Sequence, residues 1–182
     1  TEIYSGAFLE NENNSHLEDV VCHLNSLEGY SGWLTKNYAG KFWQEKNTKK
    51  ADAIRDYIET LTLKDWEKKT LITSLIFALD IVDNTVGVQQ AYLKTFCKRS
   101  YNDLLLKLPP LVEGERWSFI RGNSQTIEYP DSDLAYLDPP YTAHSYATYY
   151  NIWDSIAIWD KPKTGLTTAR REDRIFSGNK VD

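Results

Sequence analysis

Apolar residues recur at helical spacing in four stretches of the chain. Leu17, Val20, Val21, Leu24 and Leu27 form the first face. Ser15 and Glu18 just before it predict a capping box, and Gly29 a stop. Ala51, Ile54, Tyr57, Ile58 and Leu61 form the second, with Asn47 or Thr48 as its expected cap. Leu71, Ile72, Leu75, Ile76, Leu79 and Val82 give a wide stripe within 63–82, the mark of a central packing helix. Tyr149, Ile152, Trp153, Ile156 and Ala157 form the fourth face. Residues 1–10 are mixed and predict no element.

Two stretches read as strands. Trp117-Ser118-Phe119-Ile120 runs into a turn-like Arg121-Gly122-Asn123-Ser124. Leu134, Tyr136 and Leu137 read as the end of a buried strand after the polar run Tyr129-Pro130-Asp131-Ser132-Asp133. Between the first two helices, Tyr30, Trp33, Tyr38, Phe42 and Trp43 are punctuated by Gly32 and Gly40. They suit a loop pinned to the core by aromatic anchors, or a surface on which nucleic-acid bases stack. Pro109-Pro110 ends an apolar run from Leu104 and marks a boundary.

Composition narrows this picture. At 182 residues and 41% apolar, the chain fits one domain, or one and part of a second. A net charge of −5 gives no global attraction for nucleic acid, so any DNA contact must rest on local positive charge. Cys22 and Cys97 form no CxxC and no disulfide framework, as expected of a reducing cytosol. No signal peptide or long apolar run appears, so a soluble, cytoplasmic protein without membrane partners is expected. There is no Met, and the chain opens inside an organised segment, as a processed or partial chain would. No cluster of His, Cys or Asp at metal-ligand spacing occurs, so no metal is expected.

The chemistry concentrates in Asp138-Pro139-Pro140-Tyr141, which follows the second strand. Neither proline has an N–H, and both hold φ near the extended region. The carbonyls of Asp138 and Pro139 are therefore held rigidly, the Asp138 carboxylate adds an acceptor, and Tyr141 adds a flat face. Such a platform accepts hydrogen bonds from an amino group and stacks on a planar ring. The bland reading is a strand that ends in a Pro-Pro turn beside a surface Tyr. By average composition the tetrapeptide arises by chance in roughly one chain in a thousand of this length. His23 reads as a histidine at the edge of its helix's apolar face, and His144 as a loop histidine that could donate near the motif.

Asp-Pro-Pro-Tyr after an apolar strand resembles the catalytic motif of the Dam-like, adenine-N6 class of DNA methyltransferases. Other stretches resemble the same family: Gly29-Tyr30 with Lys36-Asn37-Tyr38, Lys49-Lys50-Ala51-Asp52-Ala53-Ile54-Arg55, Asn84-Thr85-Val86-Gly87-Val88 through Lys94, and Arg171-Glu172-Asp173-Arg174. The resemblance implies an α/β fold, a Rossmann-like S-adenosylmethionine-dependent core that is incomplete in this chain. Residues 1–29 and 112–182 would belong to that core, and 30–111 to a mainly helical insert for target recognition. It implies methyl transfer from S-adenosylmethionine to the N6 amine of adenine in double-stranded DNA, in a restriction-modification system. Asp138, Pro139, Pro140 and Tyr141 would be the catalytic platform for a flipped-out base. Asn123, where the family carries an acid, and Asp138 would face the cofactor. Lys94, Lys161, Lys163, Arg170, Arg171 and Arg174 would contact DNA phosphates.

The family holds the cofactor's methionine end on a Phe-x-Gly-x-Gly turn, yet the nine glycines here include no GxG; that turn is expected to precede Thr1 or to lie on another chain. A non-catalytic DNA-binding or target-recognition fragment is therefore the competing expectation. Methylation of RNA or of a protein glutamine, by a related platform, is a third. The sequence does not fix the recognition site or the oligomeric state.

Overall fold

The computed structural model describes residues 2–9, 14–89, 91–111, 120, 122–123, 126–129, 131, 134, 136, 146–165 and 169–172. Among these the chain forms six α-helices: α1 (Glu2–Leu9), α2 (Glu18–Ser26), α3 (Trp33–Tyr38), α4 (Glu45–Thr60), α5 (Asp65–Ile81) and α6 (Tyr146–Ile158). Short 3-10 turns cover Ser15–Leu17 and Lys98–Tyr101. No strand is assigned among the described residues, where pairing is limited to the isolated bridges Ala39–Trp43 and Thr164–Arg171.

The expected stripe on α5 is the centre of the core. Leu71, Ile72, Leu75, Ile76, Leu79 and Val82 are all buried. Removing each such side chain from water contributes roughly 1.5–3 kcal/mol. Around α5 the core gathers Leu17, Val21 and Leu24, then Ile54 and Ile58 of α4, and Ile152 and Ile156 of α6. Leu104, Leu106 and Ala169 join it, so one core runs across both expected domain boundaries.

Several local expectations give way to tertiary contacts. The first ten residues contain α1, an eight-residue helix too short to hold alone. It forms against α5, where Tyr4 and Phe8 lie 5.6 and 6.2 Å from the ring of Phe77. The capping box at Ser15–Glu18 does not form: a 3-10 turn takes its place, with no side-chain cap at Asn14 or Leu17. Long-range pairs hold this region instead. Asn25 Nδ2 donates to the Leu106 carbonyl (3.0 Å), and Leu106 N–H donates to Asn25 Oδ1 (2.9 Å). A return bond of the capping-box kind occurs at α5, where the Glu67 carboxylate accepts the Lys64 N–H at 2.8 Å. Helix α4 starts before its expected caps, so Asn47 sits inside its first turn and bonds Asn102 and Leu104.

The aromatic stretch resolves towards anchoring. Tyr38, Phe42 and Trp43 are buried against one another, and Trp43 Nε1 donates to the Leu79 carbonyl at 2.8 Å. Within it lies α3, whose N-terminus is satisfied by Asp52 of α4. That carboxylate accepts from the N–H groups of Gly32 (3.0 Å), Leu34 (2.8 Å) and Thr35 (2.9 Å), and from the Thr35 hydroxyl (2.7 Å). A negative charge here meets both the orphan donors and the positive end of the helix. A Cβ at Gly32 would stand 2.6 Å from the same carboxyl, so the approach requires glycine.

The strand expectations are not met where residues are described. Ile120 is exposed, and Leu134 and Tyr136 are 87% and 86% exposed, in no strand. A strand is stable only when neighbours pair its backbone and cover its apolar face. No neighbour of that kind lies among the described residues. Leu137 and residues 117–119 lie outside them.

Replacing Asp52 by Ala strands a buried helix start. We expect a loss of about 3 kcal/mol in urea unfolding. A loss below about 0.5 kcal/mol would show that α3 does not depend on this cap.

Candidate functional site

Asp138, Pro139, Pro140 and Tyr141 lie outside the described residues, as do His144 and Arg174. The described structure shows what holds the elements that follow them, α6 and the segment 159–172.

Helix α6 is held at its C-terminal end by Arg55 of α4. The buried guanidinium donates from Nε to the Ile156 carbonyl (2.8 Å) and from Nη2 to the Ala157 carbonyl (2.9 Å), and pairs with Glu59. These carbonyls have no partner within the helix, and a cation suits that end of its dipole. Burial pushes the Arg55 guanidinium down from its usual value, against the opposing charge of Glu59.

The chain leaves α6 through Trp159, which has φ +60, a backbone region in which a bulky residue is strained. Its ring is fixed on every side. Trp159 Nε1 donates to Asp56 Oδ1 at 2.6 Å, and Arg55 and Lys161 stand 5.3 and 5.0 Å from the ring centre. Trp33 meets it edge-on at 6.0 Å. Lys161 also bonds Asp56 (2.7 Å), and the Tyr30 hydroxyl donates to the same carboxylate. Burial alone would raise the Asp56 carboxyl, but the bonds from Lys161, Tyr30 and Trp159 together hold it below the ordinary carboxylate range.

Residues 159–165 and 169–172 pack against one another and dock on α3. Gly165 N–H donates to the Arg170 carbonyl (2.8 Å) and Glu172 N–H to the Lys163 carbonyl (3.0 Å). Trp33 Nε1 donates to the Pro162 carbonyl (2.9 Å), Thr164 Oγ1 meets Asn37 Oδ1 (2.5 Å), and the Tyr38 hydroxyl donates to the Ala169 carbonyl (2.9 Å).

This geometry sorts the candidate phosphate contacts. Arg171 is only 4% exposed, and its guanidinium bonds Asp160 (Nη1 to Oδ1, 3.2 Å). Its charge is spent inside the fold, so the surface role expected of it is not the one it plays here. Lys161 is engaged with Asp56 and Trp159. Lys94 and Lys163 are exposed, and Arg170 is half-buried, its Nε enclosed with no hydrogen-bond partner among the described residues.

The loop after α5 is built on two side chains. Asn84 Nδ2 donates to the carbonyls of Lys41 (3.1 Å) and Leu93 (2.9 Å), and its Oδ1 accepts the Cys97 N–H (3.0 Å). Asp83, fully buried, accepts from the Thr85 hydroxyl (2.7 Å), from Gln89 Nε2 (2.8 Å) and from Arg99. Gln89 Oε1 in turn accepts Trp153 Nε1 of α6 (2.8 Å). A cavity of about 460 Å³ opens here, lined by Asp80, Gly87, Val88, Gln89, Tyr149, Tyr150 and Trp153. Burial, then the charge of Asp83, pushes the Asp80 carboxyl up.

Asn123, the expected cofactor contact, is exposed at a turn where its carbonyl accepts the N–H groups of Thr126 and Ile127 (both 3.0 Å). Its side-chain amide can both donate and accept hydrogen bonds. Among the described residues no three His, Cys, Asp or Glu side chains gather to hold a metal ion. None of these residues forms a helix long and apolar enough to cross a membrane.

Sequence reading singled out Asp52 and Arg55 within a family-like stretch without giving them roles, and passed over Asp56 and Asp83. Each occupies a helix or helix end where spacing alone reads as a solvated face.

Comparison with known proteins fits this frame. The chain belongs to the D12 class N6 adenine-specific DNA methyltransferase family, whose model matches residues 4–182. It is similar to modification methylase LlaI of Lactococcus lactis subsp. lactis, with 32% identity over 164 residues, 83% of this chain and 26% of that protein. With Type II methyltransferase M.NlaIII of Neisseria lactamica it shares 34% identity over 165 residues, 81% of this chain and 49% of that protein. With modification methylase StsI of Streptococcus sanguinis it shares 33% identity over 154 residues, 81% of this chain and 24% of that protein. The chain thus spans half or less of the length of these curated relatives. No solved structure matches it.

The bonds on Asp56 carry a pH signature. A carboxyl whose pKa is lowered in the folded state contributes stability present at neutral pH and lost as pH falls through that lowered value. Asp56→Asn should lower the thermal midpoint at pH 7, and the gap to the parent protein should close as pH falls through the lowered folded value, below the ordinary carboxylate range. A gap independent of pH would mean the carboxylate's charge is not what these donors hold.

Proposed function

We propose that this chain is part of a site-specific DNA methyltransferase that methylates the N6 amine of adenine within a restriction-modification system. Membership of the D12 class family over residues 4–182, a span that includes Asp138–Tyr141, carries this reading. The names of the relatives, modification methylases and Type II methyltransferases, support it.

When bound, S-adenosylmethionine supplies a methyl group activated on a sulfonium. The chain's own residues prepare the acceptor. The exocyclic amine of adenine is a poor nucleophile because its lone pair is delocalised into the ring. The Asp138 carboxylate and the Pro139 carbonyl accept hydrogen bonds from its two N–H groups, which favours a tetrahedral nitrogen and stabilises the positive charge that develops there until N6 releases one proton to solvent. Pro140 keeps this ledge stiff, and Tyr141 stacks on a base turned out of the duplex. Holding the amine in line with the methyl supplies much of the remaining barrier reduction. Asn123 and Asp138 face the cofactor.

The catalytic unit is α/β and Rossmann-like, drawing on residues 1–29 and 112–182, with 30–111 as a helical insert for target recognition. Neighbouring strands in the whole enzyme cover Leu134 and Tyr136, which are exposed here. Lys94, Lys163, Arg170 and Arg174 meet DNA phosphates, with Lys161 at the edge of that track. The enzyme works in the cytoplasm, where Cys22 and Cys97 stay reduced.

Labelled S-adenosylmethionine and duplex DNA, incubated with the full-length protein, test this directly. Methyl groups should appear on adenine N6, and Asp138→Ala should lower kcat by at least about a hundredfold. An Asp138→Ala variant with full activity would sink the mechanism. Lys163→Ala should flatten the slope of log affinity against log salt by about one; an unchanged slope would remove Lys163 from the DNA contacts.

A further inference from the structure

Many of the cations on the helices are spent on carboxylates. Lys49 meets Glu45, Arg55 and Lys68 share Glu59, and Lys69 meets Asp65. Beside α3, Lys161 is held by Asp56 and Arg171 by Asp160. Three neighbouring cations are not spent in this way. Lys36 and Lys163 are exposed, and their ammonium groups make no ion pair or hydrogen bond among the described residues. Arg170 is half-buried, its Nε enclosed with no partner among the described residues. An enclosed N–H without an acceptor lowers stability, so its seat asks for a reason other than stability.

These three residues share one face. Leu34 and Tyr38 of α3 are buried in the core, and Thr35 bonds Asp52. That leaves Trp33, Lys36 and Asn37 on the outer face, because residues three and four apart are neighbours on a helix. Trp33 bonds the Pro162 carbonyl and Asn37 meets Thr164, so Lys163 crosses this face between two anchored residues. Arg170 returns beside it, since its carbonyl accepts the Gly165 N–H at 2.8 Å. Ala169, just before Arg170, and Lys161, two residues before Lys163, both have φ +50. Such backbone persists in non-glycine residues only where contacts impose it, and it gathers at ligand clamps. One unspent acid stands close: Glu172 is exposed, and its N–H donates to the Lys163 carbonyl at 3.0 Å.

We propose that Lys36, Lys163 and Arg170 form a phosphate-binding site on the outer face of α3. Three cations against one carboxylate exceed what a single carboxylate ligand would balance. A tetrahedral phosphate offers several acceptor oxygens and meets donors arriving from different directions. The two ammonium groups donate to it, and the Arg170 guanidinium, held at its enclosed Nε, donates through its Nη groups. Lys161 and Arg171 are scaffold here, their charges balanced by Asp56 and Asp160. The phosphate is either a diester of the duplex or a free phosphate. Only the first source rests on the methyl-transfer reading above.

The test uses the full-length protein with Lys36→Ala, Lys36→Arg, Glu172→Gln, and a triple variant that joins Lys36→Ala, Lys163→Ala and Arg170→Gln. Affinity for duplex DNA is measured over a range of salt, and affinity for inorganic phosphate by calorimetry. Lys36→Ala should weaken duplex binding about fivefold near 50 mM salt, and the loss should shrink as salt rises. Lys36→Arg keeps the charge and should stay within about twofold of the parent. The triple variant should lose at least about tenfold for inorganic phosphate. Glu172→Gln removes the opposing charge and should tighten binding about twofold, an effect no structural role of Glu172 would give.

A loss in the duplex arm assigns the site to a phosphodiester, and a loss in the phosphate arm alone assigns it to a free phosphate. A parent protein that binds neither probe would overturn the proposal. So would Lys36→Ala or triple variants with parental affinity in both arms, or a loss that salt leaves unchanged. Equal or weaker binding by Glu172→Gln would take Lys163 out of the site and overturn it as well. If the parent protein transfers no methyl to DNA, the methyl-transfer reading falls alone, and the phosphate arm still decides the site.

Discussion

A guanidinium taken out of water must have its N–H groups met by protein acceptors, and Arg55 meets this demand with the end of α6. The exchange is reciprocal. The carbonyls of Ile156 and Ala157 have no partner within their own helix, and the cation has no solvent. Glu59 balances the charge one turn away, and Trp159 covers its face. Removing either side leaves buried polar groups unpaired, at a cost of several kcal/mol. The place of α6 is thereby fixed relative to α4.

The family-like stretches share this purpose. Asp52 starts α3; α3 uses Trp33, Asn37 and Tyr38 to seat the segment after α6. Asp56 and Lys161 clamp the strained Trp159 that turns the chain out of α6. Asn84 and Asp83 shape the loop that meets α6 from the other side. Buried charges that each satisfy several distant backbone groups tolerate few replacements, because no other side chain matches both the charge and the reach. That gives a physical reason for such motifs in a helical region.

What was legible in the sequence follows from the range of the forces involved. The stripe on α5 and the face of α6 are local periodicities with large apolar burial behind them, and both helices stand where the pattern puts them. Helix α1 was hidden because eight residues interrupted by Gly6 are too short to hold a helix alone, and packing on α5, Phe77 included, stabilises them. The Ser15–Glu18 signature misled because a local cap competes with bonds from Asn14 to Pro109 and from Asn25 to Leu106. Arg171 read as a phosphate contact because its partner Asp160 lies eleven residues back, across a turn no periodicity reveals. The motif and the chemistry expected of it rest on residue types alone, and Asp138–Tyr141 lie outside the described residues. The supporting roles of Arg55 and Asp56 were not legible, since their partners at the end of α6 lie far along the chain.

We propose that Asp138 and Tyr141 receive an adenine that has left the duplex. A crystal structure of the full-length protein with target DNA and a non-reactive S-adenosylmethionine analogue tests it most directly. The expected result is an extrahelical adenine whose N6 lies within hydrogen-bond distance of the Asp138 carboxylate and the Pro139 carbonyl, with Tyr141 on its face and Arg55 still bonded to α6. Asp138 and Tyr141 turned into packed protein, with every base of the bound duplex still stacked, would contradict it.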